Sequence, residues 1–163
     1  MPADRIAGSL LQLHIEEVDD VRSVPRAPSD RGALSGLVVS ELQTIYLDRR
    51  ECRRHPRRRR FTIAHEIGHW VLHISAGKLY GCRPADIVEQ PRARPDTREL
   101  RRIEAEANRF AAELLMPETL VVAAANDLGS NVAALADRFD VSVPAIRVRL
   151  QQFGLLPAWM SGP

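Results

Sequence analysis

Residues 61–73 read FTIAHEIGHWVLH, and both the fold and the chemistry of the chain turn on whether this stretch is a helix. It holds His65-Glu66-Ile67-Gly68-His69, an H-E-x-x-H motif. On an α-helix, residues four apart share a face with Cβ atoms about 5–6 Å apart, so His65 and His69 can close on one metal ion. Glu66 lies about 100° around the axis from His65, where it addresses a metal-bound water rather than the metal. That makes it the candidate general base. So short a motif also arises by accident on amphipathic helices, and its setting decides. Phe61, Ile63, Ala64, Ile67, Trp70, Val71, Leu72 and Ile74 surround the histidines, which reads as a buried helix. A buried glutamate between two buried histidines is costly without a partner, and a divalent cation supplies one. His73 fails as a third ligand: from His65 it is about 12 Å along the axis and about 80° around it, whereas Zn–N bonds are about 2.0–2.1 Å. It is expected in the core or behind the ligands.

The third ligand is sought in residues 97–116, TRELRRIEAEANRFAAELLM. Leu100, Ile103, Ala107, Phe110, Ala111, Leu114 and Leu115 recur at helical intervals, and Pro117 stops the pattern. Glu104 falls within that stripe. An acid on the buried face of one helix, opposite histidines on the buried face of another, is what a His₂Glu catalytic zinc requires. Glu106 competes, but it lies about 200° around from Glu104 and is expected to point away, with Asn108 as the partner of a Glu104 ligand.

With 163 residues, 45% of them hydrophobic, the chain suffices for one well-packed core and is short for two. No apolar run approaches the roughly 20 residues that span a bilayer, and the start MPADRIAG lacks the pattern of a signal peptide. The expectation is a cytoplasmic protein with no membrane partner. Cys52 and Cys82 are read as free thiols, and neither has C-x-x-C spacing. The net charge of +2 hides the run RRECRRHPRRRR at 49–60, set against acids at Glu16 to Asp20 and Glu99 to Glu106. Lys78 is the only lysine, a bias that points to base composition before it points to phosphate binding. The run is expected to be a solvated loop leading into the H-E-x-x-H helix. Contact with nucleic acid or an acidic surface is the alternative.

Residues 6–18 read as a short helix or turn and then a strand near Leu11 to Glu16; residues 21–32 read as turn and loop. ALSGLVVS and LQTIYLD form a predicted β-hairpin. Residues 76–96, with no apolar period, read as a long loop. Its Tyr80 carries a phenol able to bond an oxyanion, although a plain loop tyrosine is the preferred reading. Near the C-terminus, NVAALADRFD and VPAIRVRLQQFG read as helix, turn, helix, with Ser142 as N-cap and Pro144 in the first turn. In a helix-turn-helix, Arg147, Arg149 and Gln151 would face nucleic acid. The favoured reading instead packs Leu135, Phe139, Val141, Ile146 and Leu150 as a core contact.

FTIAHEIGHWVLH followed by EAEANRFAAELLMP resembles the ImmA/IrrE family of bacterial zinc metallopeptidases, which joins a HExGH helix to an E-x-x-A-N-x-F-A-x-x-L-L-M-P helix. The likeness covers most of the chain beyond Leu34. It implies that Zn²⁺ is bound by His65, His69 and Glu104, that Glu66 is the catalytic acid/base, and that Asn108 takes the place of the Asn or Asp that follows the ligand Glu in gluzincins. It also implies a protein substrate, a helix-turn-helix transcriptional repressor whose cleavage derepresses a mobile element or stress response. Against the family's pattern, the N-terminus is expected to be shorter than the usual leading helix, and the loop Ala76 to Asp96 is unusually rich in Arg and Pro.

The expected architecture is α+β and zincin-like: a small, mainly antiparallel sheet packed with helices, the metal held between two of them. One metallopeptidase domain is expected over 1–163, with N-terminal strands and loops at 1–60, zinc-site helices at 61–117 and a helix-turn-helix-like segment at 118–163. The strand Leu42 to Asp48 is expected to pair with an extended substrate. The competing expectation is a DNA-binding or protein-binding transcriptional regulator whose metal site is structural.

Overall fold

The computed structural model describes residues 2–24, 35–74, 97–129 and 131–156. Three strands form one sheet: β1 (His14–Val18), β2 (Gly36–Val39) and β3 (Thr44–Asp48). Seven α-helices are described: α1 (Ala3–Arg5), α2 (Arg49–Arg54), α3 (Pro56–His69), α4 (Thr97–Leu115), α5 (Glu118–Leu128), α6 (Val132–Phe139) and α7 (Val143–Gln152). The α+β expectation holds, and the sheet is mixed. Its order is β1-β3-β2, with β1 parallel and β2 antiparallel to β3. β3 takes the centre because Thr44, Ile45, Tyr46 and Leu47 are all buried, and only a strand covered on both faces reads as a continuous buried run.

The β2–β3 hairpin forms where expected, its turn closed by Gln43 N–H to the Ser40 carbonyl at 2.9 Å. β1 begins later than the alternation suggested. The chain leaves α1 through a wide turn at Ile6–Leu10 and reverses at Gln12, whose φ is 55°. One expectation fails outright. β3 is bonded along both edges, so Thr44–Asp48 is closed to pairing with a substrate strand.

The arginine run is helical rather than a solvated loop. Asp48 caps α2 through the Glu51 N–H at 2.8 Å, and Pro56 opens α3. Part of its charge is answered by N-terminal acids and by Glu51 within the run. Arg49 reaches Asp19 at 2.8 Å and the Glu17 carbonyl at 2.6 Å; Arg59 bridges Asp4 and Glu17, both at 2.8 Å; Arg58 meets Glu51 at 3.2 Å. Exposed pairs of this kind contribute about 0–1 kcal/mol each, so their effect is to orient β1 against α3. Cys52 is a buried free thiol. Cys82, the segment 76–96 and its Tyr80 lie outside the described residues, as does most of 21–32. No described helix is long and apolar enough to cross a membrane.

The chain divides into two compact units, Met1–Ala111 and Ala112–Pro163. The second is built on Val121, Ala124, Leu135, Ala136, Val141, Ile146 and Leu150, all buried. Its α6–α7 corner turns at Asp140, in the left-handed region at φ 51°, and Ser142 then caps α7 on the Ala145 N–H at 3.3 Å. Arg149 does not face outward as a nucleic-acid contact would. It is 4% exposed: Nε donates to the Met116 carbonyl at 3.0 Å and Nη1 to Gln152 Oε1 at 3.0 Å, while Glu113 supplies the countercharge. Its guanidinium also lies 4.4 Å from the Phe153 ring centre. Arg147 and Gln151 are exposed.

Candidate metal centre

The centre depends on two helices coming unusually close. A Cβ placed on Gly68 would lie 3.1 Å from the Ala107 Cα and carbonyl oxygen and 3.2 Å from the Phe110 Cβ. The glycine of the H-E-x-x-H motif and an alanine with no exposed surface therefore let the backbones of α3 and α4 approach, which larger residues would prevent. That contact brings His65 and buried His69 within reach of Glu104.

Their ligand atoms converge. His65 Nε2 and His69 Nε2 are 2.9 Å apart; Glu104 Oε2 is 3.4 Å from the first and Glu104 Oε1 3.5 Å from the second. All three residues offer a ligand atom within 4.8 Å of the others. A tetrahedral site with bonds of about 2.0–2.1 Å has ligand-to-ligand edges of about 3.3–3.4 Å, so this set fits such an ion in both chemistry and spacing. Electrostatics agree. Burial alone would raise Glu104, but hydrogen bonds with His65 and His69 outweigh it and hold the carboxyl well below its usual range. Burial alone would lower His65, and there the bond to Glu104 and the charge of Glu66 prevail and push it up. The cluster thus attracts positive charge, which a proton or a metal ion can supply.

The nitrogens facing away from the cluster are also engaged. His65 Nδ1 lies 3.0 Å from Asn108 Oδ1, so Asn108 serves His65 rather than Glu104. His69 Nδ1 lies 3.3 Å from His73 Nδ1, and His73 Nε2 lies 3.0 Å from Glu106 Oε2. His73 is buried beside His69. Glu106 stays out of the cluster, as the angle around α4 required, but it does not point away from the site.

Glu66 is 6% exposed, and burial pushes its carboxyl up against the opposing pull of His65 and His69. Oε2 accepts the Val38 N–H at 2.9 Å. That amide is available because the Asp48 N–H donates to the Ser35 carbonyl, so the antiparallel alternation turns the groups of Gly36 and Val38 away from β3. A Cβ on Gly36 would meet Thr62 Cγ2 at 2.5 Å and Glu66 Oε1 at 3.1 Å. Sequence reasoning missed these backbone contributions. The available signal was an isolated glycine in a strand pattern, which marks close approach.

The model of the IrrE N-terminal-like domain, a peptidase family, matches residues 26–151. No curated protein matches the chain.

Proposed function

Because this chain belongs to the peptidase family of the IrrE N-terminal-like domain, whose substrates are proteins, we propose that it is a zinc-dependent endopeptidase. The observation that carries this is the convergence of His65 Nε2, His69 Nε2 and the Glu104 carboxylate at 2.9–3.5 Å, with a buried carboxylate, Glu66, on the same helix. His65, His69 and Glu104 would hold the ion, with Asn108 and His73 orienting the two imidazoles. Bound there, Zn²⁺ supplies Lewis acidity and lowers the pKa of water.

Glu66 is the acid/base of this reading. Its Oε2 is fixed by the Val38 amide, which leaves Oε1 to take a proton from the attacking water and return it to the leaving amine. A carboxyl raised by burial suits both transfers better than an ordinary glutamate, since its affinity for the proton lies nearer neutrality. The metallopeptidase domain is read as the whole chain, 1–163, because the family match runs through the boundary between the two units. As substrate we propose a helix-turn-helix transcriptional repressor in the cytoplasm, cleaved to derepress a mobile element or stress response. The family resemblance of the two helix motifs supports that choice.

The test is Glu66→Gln, which preserves size and removes the base. Zinc content by elemental analysis is expected to be unchanged, while cleavage of a candidate repressor, followed by mass spectrometry, falls at least 10²- to 10⁴-fold. Cleavage by the variant at the wild-type rate would assign water activation to another group.

A further inference from the structure

We propose that Glu106 is a positioning residue for the metal centre, acting through His73 on the proton of His69. The inference rests on the reading of His69 as a metal ligand through Nε2. A neutral imidazole has one N–H and one lone pair, so a ring that gives its Nε2 lone pair to a cation carries its proton on Nδ1. That Nδ1 lies 3.3 Å from Nδ1 of His73, which must then present a lone pair. His73 accordingly carries its own proton on Nε2, 3.0 Å from Glu106 Oε2. An ionised carboxylate only accepts, and it is what settles this arrangement. If His73 took the other tautomer, two N–H groups would meet between the rings, and His69 could relieve them only by moving its proton to the nitrogen that should face the metal.

Glu106 is itself anchored. Its second oxygen accepts from Arg102 Nη1 at 2.7 Å, and Arg102 is held on its other side by Glu99 at 2.6 and 3.2 Å. The chain His69, His73, Glu106, Arg102, Glu99 therefore alternates donors and acceptors in a single consistent way. His65 reaches the same end with one residue, since Asn108 Oδ1 can only accept from its Nδ1. The two ligand histidines differ in this respect: one is oriented by a neutral neighbour on α4, the other through a relay that starts at the half-exposed carboxylate of Glu106.

The test measures zinc affinity of the full chain by competition with a chelating indicator, for the wild type, Glu106→Ala and Glu106→Gln. Ring-nitrogen NMR of the zinc-loaded proteins and the melting temperature of each apo form accompany it. Glu106→Ala is expected to weaken zinc about 10- to 100-fold, to mix the tautomers of His73, and to leave the apo melting temperature where it was. Glu106→Gln keeps an acceptor oxygen and should restore most of the affinity. Unchanged zinc affinity in Glu106→Ala, or His73 protonated on Nδ1 in the wild type, overturns the proposal. So does a loss in Glu106→Ala that tracks a fall in apo stability and is not rescued by Gln. Full zinc retention in His69→Ala would instead overturn the ligand assignment beneath it.

Discussion

Arg149 and the cluster of His65, His69 and Glu104 are polar groups drawn out of water in two different units, and they are answered in opposite ways. Arg149 meets groups that complement a cation: the Met116 carbonyl, the Gln152 amide oxygen, the Glu113 carboxylate and the face of Phe153. Around the histidines, three ligand-type groups converge on one another at 2.9–3.5 Å. A buried charge that its own surroundings satisfy is a structural device. Ligand-type atoms gathered on one point are what a cation site requires. Burial alone does not tell the two apart, and the sign of the neighbours does.

The largest effect that would break this contrast is on metal binding. Glu104→Ala, like His65→Ala and His69→Ala, should leave the purified chain with zinc near background by elemental analysis, because each removes one of the three ligand atoms that converge among the described residues. Full zinc retention in Glu104→Ala would mean that the acceptors gather for another reason, and would remove the distinction from Arg149.

The site's second half sharpens the contrast, since it is made from backbone. In Gly36→Ala the new methyl would fall 2.5 Å from Thr62 Cγ2 and 3.1 Å from Glu66 Oε1. Either the Thr62 side chain or the strand must give way, and a strand that moves carries the Val38 amide with it. Cleavage should fall roughly 10- to 100-fold, as a displaced catalytic group implies, with zinc retained. Adding Thr62→Ser removes the clashing methyl and should recover part of the rate. No recovery in the double variant would show that Gly36 serves the fold of β2 and not the placement of Glu66.

How far the sequence reaches differs between these same parts. The convergence of His65, His69 and Glu104 is legible because helical spacing puts side chains on one face, and α3 and α4 are both regular there, whereas the partner of Asn108 proves to be His65 and not Glu104. Ser142 and the α6–α7 corner were legible for the same local reason. The position of β3 at the centre, which closes it to substrate, and the partnership of Val38 with Glu66 depend on which strand lies beside which. No local pattern carries that. Glu106 was misjudged because an angle around one helix says where a side chain leaves the axis but not what the next helix offers it. Past Trp70 the chain widens into an i→i+5 turn, and a straight-helix projection does not follow His73 into it. The arginine run was misread as loop because composition counts charges without showing that Asp4, Glu17 and Asp19 fold back to meet them.

On the structural side of the comparison, Arg149→Met keeps the apolar stem and removes the donors. The Met116 carbonyl then loses its partner, while half-exposed Glu113 returns to water. Unfolding of the second unit should weaken by about 1–3 kcal/mol, with zinc stoichiometry unaltered below the transition. A variant as stable as the wild type would show that the guanidinium contributes little and that its burial serves some other purpose.

The smallest expected effect concerns nucleic acid. With Arg149 consumed inside its own unit, a helix-turn-helix reading of α6 and α7 has only Arg147 and Gln151 of the three residues first considered, both exposed. One outward arginine makes about one phosphate contact, and each such contact contributes about −0.9 to the slope of log K against log salt. Arg147→Ala should therefore change that slope by about 1, on binding no tighter than the roughly 10⁻⁴–10⁻⁶ M of non-specific association at physiological salt. Fluorescence anisotropy on a labelled duplex at several salt concentrations measures both quantities. Sequence-specific binding at physiological salt that survives Glu66→Gln would favour a regulator with a structural metal. It would also mean that base contacts come from residues other than Arg149, since turning that side chain outward would strip the Met116 carbonyl and Glu113 of their cation.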